Sequence, residues 1–291
     1  MLQYAQAQPY KMFESDNIRG LSISTMLPYQ LKGSGHPLLL IHGWGVTYAV
    51  WDKLVPLLAP HFQLILIELS GTHAMSEVAL DKPYYPACAE ALEELRVALG
   101  IEQWSILSYS TGTRVGEAYV QQYPQRVSRA VFLCPIYLRR PLKLAVQTMD
   151  RMDPKHPDLT NWFISGWRLY GLLLYLGFNL HRHEYTNSWM SEIELHPLDN
   201  LKRVLCDLPG YGRAPFRLPT SPQVPTLFVW GLHDALSAVP SHPRPNDIFI
   251  LANHSAPVLS PQSVAEVVLP FLKEEIIAQN TYHKNRAIVN L

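Results

Sequence analysis

A short segment, residues 104–115, constrains the fold more than any other part of the chain. An apolar run is followed by the small residues around Ser110. A pattern with helical spacing then begins at once and continues to Pro124. This order predicts a strand, a sharp turn and a helix, with Ser110 at the apex. The strained apex requires small residues two positions to either side, and Ser108 and Gly112 are small. The turn would expose the Ser110 hydroxyl in front of a helix N-terminus, which favours developing negative charge.

The turn pattern departs from its commonest form at one position. Gly usually occupies both small positions, whereas the first of them here is Ser108, which is sterically a mild change. An ordinary strand-to-helix turn that contains Ser and Gly is the alternative interpretation. The rest of the chain therefore has to decide between the two.

The composition of the 291-residue chain is that of a globular protein with a large core. Apolar residues make up 48% and charged residues 16%, which indicates a well-filled interior and little disorder. The length suits one large α/β domain with an inserted lid. The formal net charge is zero and no long basic tract occurs, which argues against a nucleic-acid partner.

The cysteines and the apolar stretches predict the cellular compartment of the protein. Cys88, Cys134 and Cys206 are odd in number and lack metal-ligand spacing, so we expect small buried hydrophobes in a reducing compartment, with Cys206 the one that could be partly exposed. Residues 1–6 lack a basic segment followed by an apolar core, so no signal peptide is expected. The longest apolar stretch, residues 169–180, is too short to span a bilayer. A cytoplasmic protein is predicted.

Strands and helices alternate along most of the chain. Apolar and β-branched runs predict an early antiparallel strand within 21–31, which Pro28 restricts to an edge, and then strands at 37–41, 62–69, 104–109, 129–133, 226–230 and 248–251. A helix is expected at 89–99. Ser260 and Pro261 open a closing helix, which Pro270 should kink or divide.

The alternation stops between residues 136 and 208, where helical patterns rich in Trp, Tyr and Leu replace the strands. This predicts a helical cap at 136–208, inserted into a core domain formed by 1–135 and 209–291. As a lid, the cap would offer an apolar wall to a substrate, and the candidate pocket residues are Trp162, Trp167, Tyr170 and Leu174. The alternative is that these side chains only attach the cap to the core.

Four motifs in fixed order carry a resemblance to a known family. They are His-Gly-Trp-Gly at 42–45 after a strand, the Ser110 turn, Gly-Leu-His-Asp at 231–234 and Asn-His at 253–254, each after a further strand. The order resembles the α/β-hydrolase fold over residues 20–275. The resemblance implies a mostly parallel sheet of the eight-stranded type, flanked by helices, with a helical cap. The chain order Ser, acid, His distinguishes this superfamily from other serine hydrolases.

The resemblance assigns roles to three side chains. Ser110 would be the nucleophile, His254 the base that takes its proton, and Asp234 the acid that orients the imidazole. With twelve histidines in the chain, His254 could instead be a surface residue, Asp234 could be a plain loop residue, and the neighbouring His233 is a possible decoy. Some relatives carry the acid one strand earlier, but residues 134–137 contain no carboxylate.

The resemblance also implies an oxyanion hole, formed by the backbone N–H groups of Trp44 and Thr111. His42 is expected to brace the loop rather than to contact substrate. No metal or organic cofactor is implied. The loop at 68–76 matches the family pattern only loosely, which weakens any assignment to a subfamily.

The expected activity is hydrolysis of a carboxylic ester of an apolar acyl group through an acyl-serine intermediate. The His-Gly-Trp-Gly loop and the closing His-x-x-Pro stretch look most like pimeloyl-carrier-protein methyl ester esterases. Epoxide-hydrolase and dehalogenase chemistry is disfavoured, because those families have Asp at the position of Ser110. C–C bond hydrolysis, cofactor-free peroxidation and a non-catalytic ligand-binding protein stay open. The basic residues Arg139, Arg140 and Lys143 could dock an acidic carrier protein, or form a solvated helix face.

Overall fold

The structure is a computed structural model that describes residues 27–69, 82–166, 196–208 and 224–273. Three of the predicted pocket residues, Trp167, Tyr170 and Leu174, lie outside the described residues, as does the first part of the predicted early strand. Of the predicted cap, 136–208, the structure describes residues 136–166 and 196–208, and the division into core and cap stays a prediction.

The described residues form a seven-stranded sheet. Its strands are β1 (Tyr29–Lys32), β2 (His36–Ile41), β3 (Phe62–Ile67), β4 (Trp104–Tyr109), β5 (Val127–Leu133), β6 (Thr226–Gly231) and β7 (Asp247–Ile250). The spatial order is β1-β3-β2-β4-β5-β6-β7. β1 pairs antiparallel with β3 at one edge, and all other neighbours are parallel. The predicted α/β class, the mostly parallel sheet and the edge position of the first strand are confirmed.

Helices cover both faces of this sheet. They are α1 (Val55–Leu58), α2 (Tyr84–Ala98), α3 (Gly112–Gln122), α4 (Arg140–Met152), α5 (Leu198–Cys206), α6 (Ala256–Leu259) and α7 (Pro261–Leu272), and residues 157–166 are also helical. Alternate residues of β2 point to opposite faces: Leu39 packs with α2 and α3, whereas Leu40 packs with α1, α6 and α7. Both side chains are completely buried, as expected for a central parallel strand.

Some element boundaries differ from those expected from the sequence. α2 begins at Tyr84, directly after Pro83, because Tyr84 and Tyr85 are buried on its first turn. The closing helix is continuous through Pro270 and ends at Leu272, so the predicted division is not found. The missing N–H of Pro270 removes one helical hydrogen bond, and only two helical residues follow it, so the helix ends soon after the proline.

Two further observations concern the whole described chain. In the described ranges, no helix combines the length and the apolar character that a membrane crossing requires. All three cysteines are free thiols and are buried, including Cys206 at 7% exposure, which the sequence left open.

Candidate active site

Ser110 occupies a strained turn between β4 and α3. Its φ is +54°, and the only other described non-glycine residue with positive φ is Cys134, at the end of β5. Hydrogen bonds hold the turn in place. Ser110 N–H donates to Leu133 O of β5 at 3.1 Å, and Thr113 donates to Ser110 O through its N–H and its hydroxyl. The predicted strand, sharp turn and helix are therefore present.

Glycines allow other segments to approach this turn closely. A Cβ on Gly112 would lie 2.1 Å from His42 O, and one on Gly43 would lie 2.8 Å from Ser110 Cβ. A Cβ on Gly116 would lie 2.9 Å from the Oγ of Ser108. The space that the side chain of Ser108 needs is thus the space that Gly116 leaves free, which explains why Ser is accommodated where Gly is usual.

The side chains of Ser110, His254 and Asp234 form one hydrogen-bonded series. His254 Nε2 lies 2.8 Å from Ser110 Oγ, and His254 Nδ1 lies 2.6 Å from Asp234 Oδ2. The other carboxylate oxygen, Oδ1, accepts the N–H groups of Leu236 and Ser237 at 2.8 and 2.9 Å. Because an ionised carboxylate only accepts, Nδ1 carries the proton and Nε2 is left to accept from the Ser110 hydroxyl.

The sheet topology explains this meeting. Ser110 follows β4, Asp234 follows β6 and His254 follows β7, and the carboxyl ends of parallel strands lie at one edge of a sheet. Asp234 is almost completely buried, whereas the His254 side chain keeps 14% of its surface exposed. The possible decoy, His233, has an exposed side chain and is not part of this series.

The loop at residues 42–45 follows β2 and is braced by His42. His42 Nδ1 donates to Gly43 O at 2.9 Å, and Nε2 accepts the N–H of Leu69 at 3.0 Å. Burial lowers the pKa of His42 to about 3. The neutral ring therefore links the ends of β2 and β3 through hydrogen bonds, and His42 has a structural role.

The backbone N–H groups expected to form the oxyanion hole belong to Trp44 in this loop and to Thr111 after the Ser110 turn. Thr111 is the N-cap of α3, and nothing in the described part of the chain accepts its N–H. The indole N–H of Trp44 donates to Leu201 O of α5 at 2.9 Å, which fixes the loop against the cap. Gly43, Trp44 and Thr111 all line one cavity.

This cavity is mainly apolar and lies between the loop at 42–45, the start of α2 and helix α5 of the predicted cap. Besides those three residues, its wall is formed by aromatic and aliphatic side chains and a few polar ones: His42, Gly45, Leu69, Tyr84, Tyr85, Val115, His196, Asn200, Leu201 and Val204. The sequence did not single out Tyr84, Tyr85 or the α5 residues, because only the packing of α5 on α2 brings them to the loop. Trp162, predicted for the pocket, is 72% exposed and does not line this cavity.

The basic residues at the start of the cap differ in their surroundings. The guanidinium of Arg139 donates to Asp234 O at 2.8 Å, Arg140 is exposed and Lys143 is half-buried. Docking of an acidic carrier protein there stays a prediction. Within the described ranges, no group of three His, Cys, Asp or Glu side chains is placed to hold a metal ion.

Comparison with known proteins identifies the family. The family model described as the alpha/beta hydrolase fold matches residues 36–249, well over half of the chain. The chain belongs to the alpha/beta hydrolase fold family. The chain is 30% identical over 109 residues to a pimeloyl-[acyl-carrier protein] methyl ester esterase from Photobacterium profundum, a match that covers 38% of this chain and 41% of the esterase. It is 26% identical over 137 residues to the human serine hydrolase-like protein, a match that covers 42% of this chain and 68% of that protein.

Solved structures support the same fold. A thermophilic esterase from Thermogutta terrifontis matches with a TM-score of 0.65 at 19% identity, over 85% of this chain and 93% of the esterase. An epoxide hydrolase from Bacillus megaterium matches with a TM-score of 0.66 at 14% identity, over 85% and 96%. At these identities the likeness concerns the fold alone. The match to the Photobacterium esterase spans only about two fifths of that protein.

Proposed function

We propose that this alpha/beta hydrolase cleaves a carboxylic ester of an apolar acyl group through an acyl-serine intermediate. The observation that carries the proposal is the series from Ser110 Oγ to His254 Nε2 at 2.8 Å and from His254 Nδ1 to Asp234 Oδ2 at 2.6 Å. A serine hydroxyl is a weak nucleophile at neutral pH, and an adjacent base that can take its proton activates it.

In the first half-reaction, Ser110 Oγ attacks the ester carbonyl carbon while its proton passes to His254 Nε2. The carbonyl oxygen becomes an oxyanion and accepts the backbone N–H groups of Trp44 and Thr111. Loss of one such donor costs about 3 kcal/mol of transition-state stabilisation in other enzymes. The C–O bond to the alcohol then breaks, and His254 returns the proton to the departing oxygen.

In the second half-reaction, a water molecule takes the place of the alcohol. His254 removes a proton from this water as its oxygen attacks the acyl carbon, and the bond to Ser110 Oγ breaks with return of the proton to that oxygen. Asp234 stays ionised throughout and stabilises the imidazolium that forms twice per cycle.

The cavity beside Trp44 and Thr111 supports an apolar acyl group. The departing alcohol oxygen must lie near His254 to receive its proton; neither His254 nor Ser110 lines this cavity, which borders the site through Trp44 and Thr111. The cavity is therefore assigned to the acyl side, where Val115 and Val204 offer aliphatic surface. The name of the Photobacterium relative, a methyl ester esterase, is consistent with this assignment.

A fluorophosphonate probe tests the proposal. We expect stoichiometric labelling of the protein, complete loss of labelling in Ser110→Ala, and normal labelling in the control Ser255→Ala, a serine beside His254 outside the hydrogen-bonded series. A series of p-nitrophenyl acyl esters should show turnover for short to medium chains. Labelling without turnover of any ester would favour C–C hydrolysis or peroxidation on the same residues, and absence of labelling would favour a non-catalytic binding protein.

A further inference from the structure

A buried arginine lies one helical turn after the candidate nucleophile. The Arg114 side chain has no exposed surface, and its Nη1 donates to Glu117 Oε2 at 2.6 Å. Its Nη2 donates to Ile136 O at 2.8 Å, and its guanidinium lies 4.7 Å from the centre of the Tyr137 ring. Apolar residues of similar volume can often replace a buried ion pair without loss of stability, so stability alone does not account for this arrangement.

Ile136 and Tyr137, which Arg114 contacts, belong to residues 136–139 between β5 and α4, which we call the strap. The strap runs beside the loop at 234–238, which we call the acid loop, and forms an isolated antiparallel bridge with it. Tyr137 N–H donates to Ser237 Oγ at 3.2 Å, and Tyr137 O accepts the N–H of Ala238 at 2.8 Å. The backbone N–H of Arg139 donates to Leu236 O at 3.0 Å.

The side chain of Arg139 adds a contact to the acid residue itself. Its Nη2 donates to the backbone carbonyl of Asp234 at 2.8 Å. Leu236 and Ser237, which the strap holds by hydrogen bonds, are the same residues whose N–H groups fix Asp234 Oδ1. The position of the carboxylate therefore depends on the strap through two separate sets of contacts.

We propose that Arg114 and Arg139 are positioning residues, which act through the strap to hold the acid loop so that Asp234 meets His254. Arg114 anchors the strap to the helix that follows Ser110, and Arg139 anchors it to Asp234. The two ends of the hydrogen-bonded series are thereby fixed to each other by a route that does not pass through His254. This inference rests on the proposed roles of Ser110, His254 and Asp234.

Arg139 gives the first test, because it is exposed and its replacement spares the core. In Arg139→Ala, kcat for a p-nitrophenyl ester should fall about 10-fold with KM unchanged, and Arg139→Lys should recover part of the loss. The far-downfield proton resonance of His254 Nδ1–H, assigned through its absence in His254→Gln, should move upfield or broaden. Arg151→Ala, an exposed arginine at the far end of α4, is the matched control and should change neither readout.

The double variant Arg114→Met/Glu117→Met gives the second test, because it removes both charges and leaves no buried ion without its partner. We expect a drop in kcat of about 10- to 100-fold, a displaced His254 resonance and an unfolding midpoint close to that of the wild type. An unchanged kcat and resonance in both Arg139→Ala and the double variant would overturn the proposal. The His254 resonance can be measured without substrate. If the wild-type protein shows this resonance but hydrolyses no ester, the proposed reaction is refuted, and the resonances of the variants still decide the positioning roles.

Discussion

At the scale of single residues, His42 shows how a polar side chain is used inside the core. Its ring is buried, donates to Gly43 O through Nδ1 and accepts Leu69 N–H through Nε2. Glu68 Oε2 lies 3.6 Å from Nε2, but Nε2 already accepts the hydrogen bond from Leu69. The hydrogen bonds to Gly43 and Leu69 together require a ring with one proton, which is the neutral form. Protonation would break the link to Leu69.

This arrangement predicts a dependence of stability on pH. Burial lowers the pKa of His42 in the folded state to about 3, whereas the ring in the unfolded chain has an ordinary pKa of about 6.5. Between these values the unfolded state binds a proton that the folded state does not. The free energy of unfolding should therefore fall as the pH is lowered below about 6.5, by up to about 1.4 kcal/mol per pH unit.

Urea unfolding between about pH 7 and about pH 5 measures this term. His42→Gln should be less stable than the wild type at neutral pH but should lose less stability on acidification. His233→Gln, which replaces an exposed histidine, should keep the wild-type slope. Equal slopes for the wild type and His42→Gln would contradict the prediction.

At the scale of elements, the loop at residues 42–45 and the turn around Ser110 form one packed unit. Gly43 is the point of contact, since a Cβ there would lie 2.8 Å from Ser110 Cβ and 3.3 Å from Ser110 Oγ. Gly43→Ala should therefore push Trp44 N–H away from the reacting centre. We expect kcat to fall at least about 10-fold, because one oxyanion donor is worth about 3 kcal/mol in other enzymes.

Ester turnover and far-ultraviolet circular dichroism together measure this effect. The control is Gly166→Ala, at an exposed position where an added Cβ would have no atom of the described residues within 4 Å, and it should keep full activity. A Gly43→Ala protein with normal kcat would show that the loop can give way without moving its N–H groups.

The elements also show which features the sequence could predict. Ser108 and Gly112 were expected to be small because the turn itself demands it, and the demand is local. The requirement for Gly at 43 and 116 comes from atoms of other segments, Ser110 Cβ and Ser108 Oγ, which no local pattern reveals. The strand ends that bring Ser110, Asp234 and His254 together could be predicted, because parallel topology places them at one edge.

The contacts of the strap and of the cavity could not be predicted, because they too are made between segments that lie far apart in the sequence. Arg114 was not singled out from the sequence, since a buried cation leaves no periodic signal. The cavity residues Tyr84 and Tyr85 lie before the predicted start of α2, where aromatic side chains turn inward to meet α5. Such contacts depend on how elements pack, and spacing along the chain does not specify this.

At the scale of the whole molecule, the sheet separates two apolar clusters and the cap helix α5 joins one of them. Hydrogen bonds tie the α5 region to the core at several points. Trp44 donates to Leu201 O at 2.9 Å, Tyr85 Oη donates to Val204 O at 2.7 Å, and Tyr84 N–H donates to Asp207 Oδ2 at 2.8 Å. These ties, together with the burial of Leu201 and Leu205, favour unfolding of α5 with the core rather than before it.

The three cysteines report on this cooperativity because each lies in a different part of the molecule. Cys88 is on α2, Cys134 lies at the end of β5 against the opposite cluster, and Cys206 ends α5. All are buried, and burial raises the pKa of the Cys88 thiol to about 12, so a thiol reagent should react slowly with the native protein. Three variants, each with one cysteine retained, should become reactive over the same range of urea concentration. Reaction of Cys206 at clearly lower urea would mean that α5 opens alone, and Tyr85→Phe should produce that behaviour in part by removing one tie.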